Sequence, residues 1–245
     1  MREAFAVDFP SRHSAMAVRV HSMDELPQSL RALGLTSGPT LVLVGGADGL
    51  TGPALDQLRA LFVDTIAPLV KEAGAQVIDG ATDSGVVQLI GRARGQLGLS
   101  FPLIGVAAIG NVAVPGEASG PDAAQLEPNH SHFLLVAGEG WGEESPWIAR
   151  LASTLANGEA SLTLLVNGGE ISWTDVSASI AEGRSIVAVA GSGGTADAVV
   201  AHLLGTQADR RVEALASSGL LVATEPMDES GSVATVVRQL LGGDA

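Results

Sequence analysis

The stretch GRSIVAVAGSGGTAD, residues 183–197, decides the fold class. Five apolar residues of strand length, Ile186–Ala190, run into a glycine-rich turn. Thr195 then begins a helical pattern that reaches Leu204. A buried strand feeding a helix through a tight turn is the repeating unit of an α/β protein with a parallel sheet.

The same unit recurs along the chain. Apolar runs at Ala15–Val20, Thr40–Val44, Ala75–Ile78, Leu103–Ala108, His132–Val136, Leu162–Val166, Ile186–Ala190 and Gly219–Thr224 predict buried strands. Helical patterns over Gly52–Glu72, Ser84–Leu97, Pro146–Ala156, Thr174–Ala181, Thr195–Leu204 and Ser230–Leu241 separate several of them. The alternation predicts a doubly wound, mostly parallel sheet with helices on both faces. No composition break, repeat or coiled coil divides the 245 residues, so one domain over 1–245 is expected. Residues 111–129, rich in Pro, Gly and acidic residues, read as a long loop between two strands.

Composition narrows the function. The chain is 46% hydrophobic and 16% charged, which describes a well-filled core. Its formal charge is −14 and Lys71 is its only lysine, so neither a nucleic acid nor an anionic membrane is expected as a partner. An anionic ligand would have to be held locally, by backbone N–H groups, helix N-termini and a few arginines. The absence of cysteine excludes thiol nucleophiles, disulfides and thiolate metal sites. Neither a secretory segment nor an apolar run long enough to span a membrane is found, and a cytoplasmic location is expected.

In a doubly wound sheet ligands bind beyond the C-terminal ends of the strands, near a switch in strand order. Four glycine-rich turns fall there: GGADGLTG (45–52), GATDSGV (80–86), NGGE (167–170) and GSGGTAD (191–197). In GATDSGV, Asp83 or Ser84 can cap a helix while Gly85, lacking a side chain, lets a phosphate approach the free N–H groups of the first turn. An ordinary tight turn is the competing reading. GSGGTA matches the relaxed dinucleotide fingerprint G-x-G-x-x-A, but it lies near the C-terminus, and the next strand-end acid, Glu225, is too distant. A P-loop, a G-x-S-x-G elbow and an H-E-x-x-H motif are all absent.

LEPNHSHFLLV, residues 126–136, places His130 and His132 one residue apart, on one face if the segment is extended. Glu127 or Asp122 could complete a metal set, but no metal motif is present and no metal is expected; shaping of the loop is the preferred role. Trp141 and Trp147 could stack on a base or cap the core, with packing favoured for Trp147.

In this order, GATDSGV, LEPNHSHFLLV, WGEES, LVNGGE and GRSIVAVAGSGGTAD resemble the SLOG domain found at the N-terminus of TRPM channels and its free-standing prokaryotic relatives, over roughly Leu41 to Leu204. The resemblance implies a Rossmann-like fold that binds nucleotide-derived molecules, with ADP-ribose-type ligands foremost. The wider superfamily includes the LOG phosphoribohydrolases, whose C-terminal loop reads P-G-G-x-G-T-x-x-E. Here Gly194-Thr195 fits G-T, Ala198 stands at the glutamate position, Asp197 lies one residue earlier, and no proline precedes the loop. Nucleotide binding thus carries over, while catalysis stays open.

On this reading Gly45, Gly46, Thr82, Asp83, Ser84, Gly85, Asn129, His130, Gly168, Gly169 and the turn Gly191, Ser192, Gly193, Gly194, Thr195 and Asp197 hold the ligand, with Asp197 accepting ribose hydroxyls. The enzyme alternative gives Asp83, Glu144 or Asp197 the task of stabilising an oxocarbenium-like ribose or activating water. A third alternative is an assembly subunit with a vestigial pocket. No cofactor is required, although Mg²⁺ carried by a diphosphate is compatible. Homodimerisation is implied by the resemblance alone.

Overall fold

The structure is a computed structural model that describes residues 3–11, 13–47, 49–225 and 230–242. Asp48, within the first expected glycine turn, lies outside the described residues. The elements are β1 (Phe5–Asp8), β2 (Ser14–Val20), α1 (Leu26–Ala32), β3 (Thr40–Gly45), α2 (Gly52–Ala60), a π-helical segment (Leu61–Ile66), α3 (Ala67–Glu72), β4 (Gln76–Asp79), α4 (Gly85–Gln96), β5 (Leu103–Ala108), β6 (Val112–Ala113), β7 (Ala124–Gln125), β8 (His132–Val136), α5 (Ser145–Ala156), β9 (Ser161–Val166), α6 (Glu170–Ala181), β10 (Ser185–Ala188), α7 (Gly194–Leu203), α8 (Arg210–Ala216), β11 (Leu221–Ala223) and α9 (Ser230–Leu240).

The main sheet runs β1-β2-β8-β5-β4-β3-β9-β10-β11, and every pairing is parallel except β1 with β2. This is the Rossmann-like α/β architecture. From β3 the chain moves outward through β4 and β5, then returns to the other side of β3 with β9, β10 and β11. The strand order therefore reverses at β3, and the crossovers leaving β3 and β9 open a crevice beyond their C-terminal ends.

Alternation along β3 explains why the strands read as continuous apolar runs. Val42 and Val44 face one core with α1, α5, α6 and α7, while Leu41 and Leu43 face the other with α2, α3, α4 and α9. A smaller cluster packs Val7, Phe9, Val114, Leu126 and Phe133 together, tying the N-terminal hairpin to the long loop.

Several local features depart from the sequence expectations. β1, α1 and α8 were not expected, because each is short and broken by Pro or charged residues. The helix expected over Gly52–Glu72 contains the π-helical segment, where the Ala67 N–H bonds the Phe62 carbonyl five residues back. Pro68 follows at once, and with no N–H to return to the preceding turn it accounts for the widened register. α6 begins at Glu170, a full turn before the expected Thr174. The long loop carries the β6–β7 pair and a bridge from Leu126 to Thr82. Among the described residues no helix is long and apolar enough to cross a membrane.

Candidate functional site

β4 ends at Asp79, and the turn that follows is held from within. Asp79 Oδ1 accepts the Ala81 N–H at 2.9 Å, and the N–H groups of Thr82 and Ser84 bond the carbonyls of Gly80 and Thr82 at 2.8 and 2.7 Å. Ala81 is thereby kept at φ +67°, in the left-handed region. The first bond of α4 is Gln88 N–H to Ser84 O at 3.0 Å. The N–H groups of Gly85, Val86 and Val87 have no acceptor among the described residues, as expected of a helix's first turn.

Gly85 has a structural reason to lack a side chain, beside the expected phosphate approach. Its φ is +52°, and a Cβ there would sit 3.1 Å from Gly46 Cα, so the turn after β4 is packed directly on the turn after β3. Asp83 points elsewhere: its carboxylate accepts from Gln88 Nε2 at 2.8 Å, and its N–H bonds the Gln125 carbonyl of the long loop.

These turns border a cavity of about 550 Å³ at the strand-order switch, within the range of small-molecule sites. Gly45 and Gly46 line it from β3, Gly80, Thr82, Ser84 and Gly85 from the α4 turn, and Trp141, Glu144 and Ile148 from the start of α5. Gly169, Glu170, Ile171, Ser172 and Asp175 complete it from α6. Among the described residues, no lysine or arginine lines the cavity. Trp141 stands at the rim, 53% exposed, whereas Trp147 packs against the core.

The α5–α6 wall is acidic and dry. Glu144 is 8% exposed, and its oxygens accept the Gly142 N–H at 3.2 and 3.0 Å. Burial pushes its carboxyl above the usual range, against the pull of the backbone bonds, and the Glu143 charge adds to the rise. Asp175 is pushed up to about 6 by burial, with the Glu144 charge adding and the hydrogen bond from Ser145 Oγ, 2.6 Å long, opposing. Two neighbouring carboxyls, both raised by burial, are the kind of pair that acid–base chemistry uses.

The turn opening α7 behaves differently. Three of its N–H groups are already bonded: Thr195 to Gly168 O, Ala196 to Asn167 O, both at 2.9 Å, and Asp197 to Gly193 O at 3.1 Å, while those of Gly193 and Gly194 have no acceptor among the described residues. Asp197 Oδ1 accepts the Gly191 N–H at 2.7 Å, Ser192 Oγ accepts the Asn167 N–H, and Thr195 Oγ1 donates to the carbonyls of Gly168 and Gly169. A Cβ on Gly194 would lie 2.2 Å from Gly168 O. Gly168, Gly191, Ser192, Gly193, Gly194, Thr195 and Asp197 are not among the cavity-lining residues. Where phosphate and ribose were expected, the N–H groups of Thr195 and Ala196 and the Thr195 hydroxyl face the neighbouring NGG loop.

Comparison with known proteins agrees with this architecture. The family described as SLOG in TRPM, prokaryote, matches residues 38–235. The chain belongs to that family. The X-ray structure of TM1055, a structural genomics target, superposes with a TM-score of 0.53 at 16% identity, covering 82% of this chain and 98% of that one. At that identity the likeness is one of fold. No curated protein matches.

The PNHSH segment of this SLOG chain, where Asn129 and His130 were expected to meet the ligand, contributes no residue to the lining of this cavity. The segment runs along α4 from its first turn toward its last. Gly91 and Gly95 make room for it, since a Cβ at either would overlap the side chains of Glu127 and Asn129. His130 is 2% exposed, with Nδ1 2.9 Å from Glu127 Oε2 and Nε2 2.9 Å from Asp79 Oδ1. Burial alone would lower its pKa, but the charge of Asp79 and the hydrogen bonds to both acids outweigh that and raise it to about 9. His132, the first residue of β8, turns to Ser131 Oγ at 2.8 Å, so the two histidines do not share a ligand. Among the described residues no cluster of three or more His, Cys, Asp or Glu is arranged for a metal ion.

Of the three acids singled out in the sequence, only Glu144 lines the cavity, and its partner Asp175 was missed. With α6 beginning at Glu170, Asp175 falls four residues after Ile171 and three after Ser172, on the lining face. Placing the helix start one turn late concealed that relation.

Proposed function

We propose that this chain binds a nucleotide-derived molecule of the ADP-ribose or NAD-metabolite type in the cavity at the β3 switch point, as a sensor or binding module. The observation that carries the reading is the first turn of α4, whose N–H groups have no acceptor among the described residues and whose opening residues line the cavity. A diphosphate fits there, beside the hydroxyls of Thr82 and Ser84 and the Gly45–Gly46 turn. Ribose hydroxyls can donate to Glu144 and Asp175, and Trp141 offers an aromatic face to a base.

The experiment is a melting series with ADP-ribose, NAD and nucleoside monophosphates. Ligand at about a hundred times Kd stabilises the folded chain by about 2.7 kcal/mol, several degrees for a protein of this size. Unchanged melting across the panel at millimolar concentration would overturn the proposal.

The Glu144–Asp175 pair favours one second reading, hydrolysis of an N-glycosidic bond. One carboxyl would protonate the departing base while the other, as carboxylate, takes a proton from the water that adds to the ribose carbon. Asp83 and Asp197, each engaged within its own turn, have no part in it. A test is base release from bound nucleotide and its loss in Asp175→Asn. The binding-module reading expects saturable binding with no released base.

A further inference from the structure

The charged group buried behind the α4 turn serves no purpose in the binding scheme above, and it is built around a single ring. Both nitrogens of His130 lie 2.9 Å from a carboxylate oxygen, Glu127 Oε2 on one side and Asp79 Oδ1 on the other. Each of those oxygens also accepts a backbone N–H, from Asn129 and Ala81 respectively, both at 2.9 Å. Each of these oxygens already acts as an acceptor, so both ring nitrogens are placed to donate, the pattern of an imidazolium.

The two acids that it bridges grip one residue. Asp79 holds the Ala81 N–H, and the Glu127 N–H holds the Ala81 carbonyl at 2.9 Å. Ala81 is the non-glycine residue at φ +67° from which Thr82, Ser84 and Gly85 project toward the cavity. A left-handed alanine costs on the order of 1–2 kcal/mol and persists only where its surroundings over-determine it. We infer that His130, as an imidazolium tying Asp79 to Glu127, is a positioning residue that sets the anion-binding turn of the cavity.

The surroundings of the ring support a role that depends on its proton. Asp79 comes from β4, Glu127 and Asn129 from the segment before β8, and Phe133 of β8 stacks on the ring at 5.2 Å between centroids. From α4, Arg94 donates to the carbonyls of Phe101 and Asn129 and adds a positive charge near Glu127. His132 is turned away to Ser131. Loss of the His130 proton sets a nitrogen lone pair against a carboxylate oxygen at hydrogen-bond distance. Asp79 Oδ2 is buried without a hydrogen-bond partner, so Asp79 is fixed through Oδ1 alone, and its rotation takes the Ala81 bond with it.

The ligand arm of the test rests on the proposed function; the spectroscopic arm does not. Imidazole and amide ¹⁵N signals of the full chain are followed from about pH 6 to about pH 10, and ADP-ribose affinity is measured by calorimetry near both ends. Both His130 nitrogens should be protonated near neutrality, and the amides of residues 81–85 should move with the His130 midpoint. Affinity should fall about tenfold or more across it, although the diphosphate charge is constant over that range. Asp79→Asn keeps an acceptor for Ala81 while removing a charge, and should lower the His130 and turn-amide midpoints together. A ring that is neutral at pH 7, turn amides indifferent to its titration, or ADP-ribose affinity independent of pH would each overturn the inference. ADP-ribose that fails to bind near pH 7 counts against the nucleotide reading, and the coupled amide titration then decides the role of His130.

Discussion

The turn that opens α4 and the turn that opens α7 use the same vocabulary: strand, glycine, hydroxyl residue, aspartate, helix. Their donors face opposite ways. The first turn of α4 leaves its N–H groups without an acceptor among the described residues, beside a cavity, while the carbonyls of Asn167 and Gly168 occupy those of Ala196 and Thr195 in α7. Support differs in the same sense. The α4 turn is braced from behind by Asp79, His130 and Glu127, whereas Asp197 and Ser192 tie the α7 turn from inside. Glycine in a strand-to-helix turn therefore records close approach, and the partner that approaches is a ligand only where no neighbouring loop has taken its place.

The comparison can be broken most sharply at Gly194. Gly194→Ala puts a Cβ on the Gly168 carbonyl at positive φ and should cost about 3–5 kcal/mol of stability in denaturant titration, against about 1–2 for Gly85→Ala, which has more room but should also lose ligand affinity. The reverse ranking would mean that the roles of the two turns have been exchanged.

The brace behind α4 makes stability depend on pH in a defined direction. His130 has a folded pKa of about 9, above its ordinary 6.5, so its contribution is complete below pH 6.5 and is lost as pH rises through 9. At about 1.4 kcal/mol per unit of pKa, the loss is on the order of 3 kcal/mol, measured by denaturation at several pH values. The α7 turn contains no such group, and its bonded amides should keep their exchange protection while those of residues 81–84 lose theirs.

Two smaller substitutions separate binding from structure. Asp197→Ala removes the acceptor of the Gly191 N–H and should cost about 1–2 kcal/mol of stability with ADP-ribose affinity unchanged by calorimetry. Ser84→Ala should do the opposite, weakening ADP-ribose by about 1 kcal/mol, some fivefold, with stability altered by less than about 0.5 kcal/mol. A loss of affinity in the first without one in the second would return the ligand to the α7 turn.

The architecture was legible because buried parallel strands leave an unmixed apolar signal: β3, β5 and β9 are nearly uniform in Val, Leu, Ile and Ala. The α4 turn and Glu144 were also legible, one through its glycines and the other through its place at the start of α5. Hydrogen-bond direction was not. The sequence of GSGGTAD says that backbones come close but does not say which, and the occupant is a loop 25 residues earlier in the chain. The course of PNHSH was not legible because alternation assumes an extended segment, whereas residues 126–131 run along α4 in two glycine-made notches before β8 begins. Asp175 left no motif, since its partnership with Glu144 arises only when α5 and α6 pack together.

The absence of any basic side chain among the described residues that line the cavity bears on how a ligand arrives. A chain of formal charge −14 repels an anion at long range, and the attraction of a helix's first turn is felt only within a few ångströms. Salt at about 0.15 M confines the repulsion to roughly 8 Å while leaving the desolvated contact almost untouched. Association of a diphosphate should therefore become faster with ionic strength, the reverse of the usual electrostatic steering. Among ligands that share a base and a sugar, the entry rate should fall with each added phosphate, so that the field around the molecule acts as a filter on charge before the cavity has tested shape.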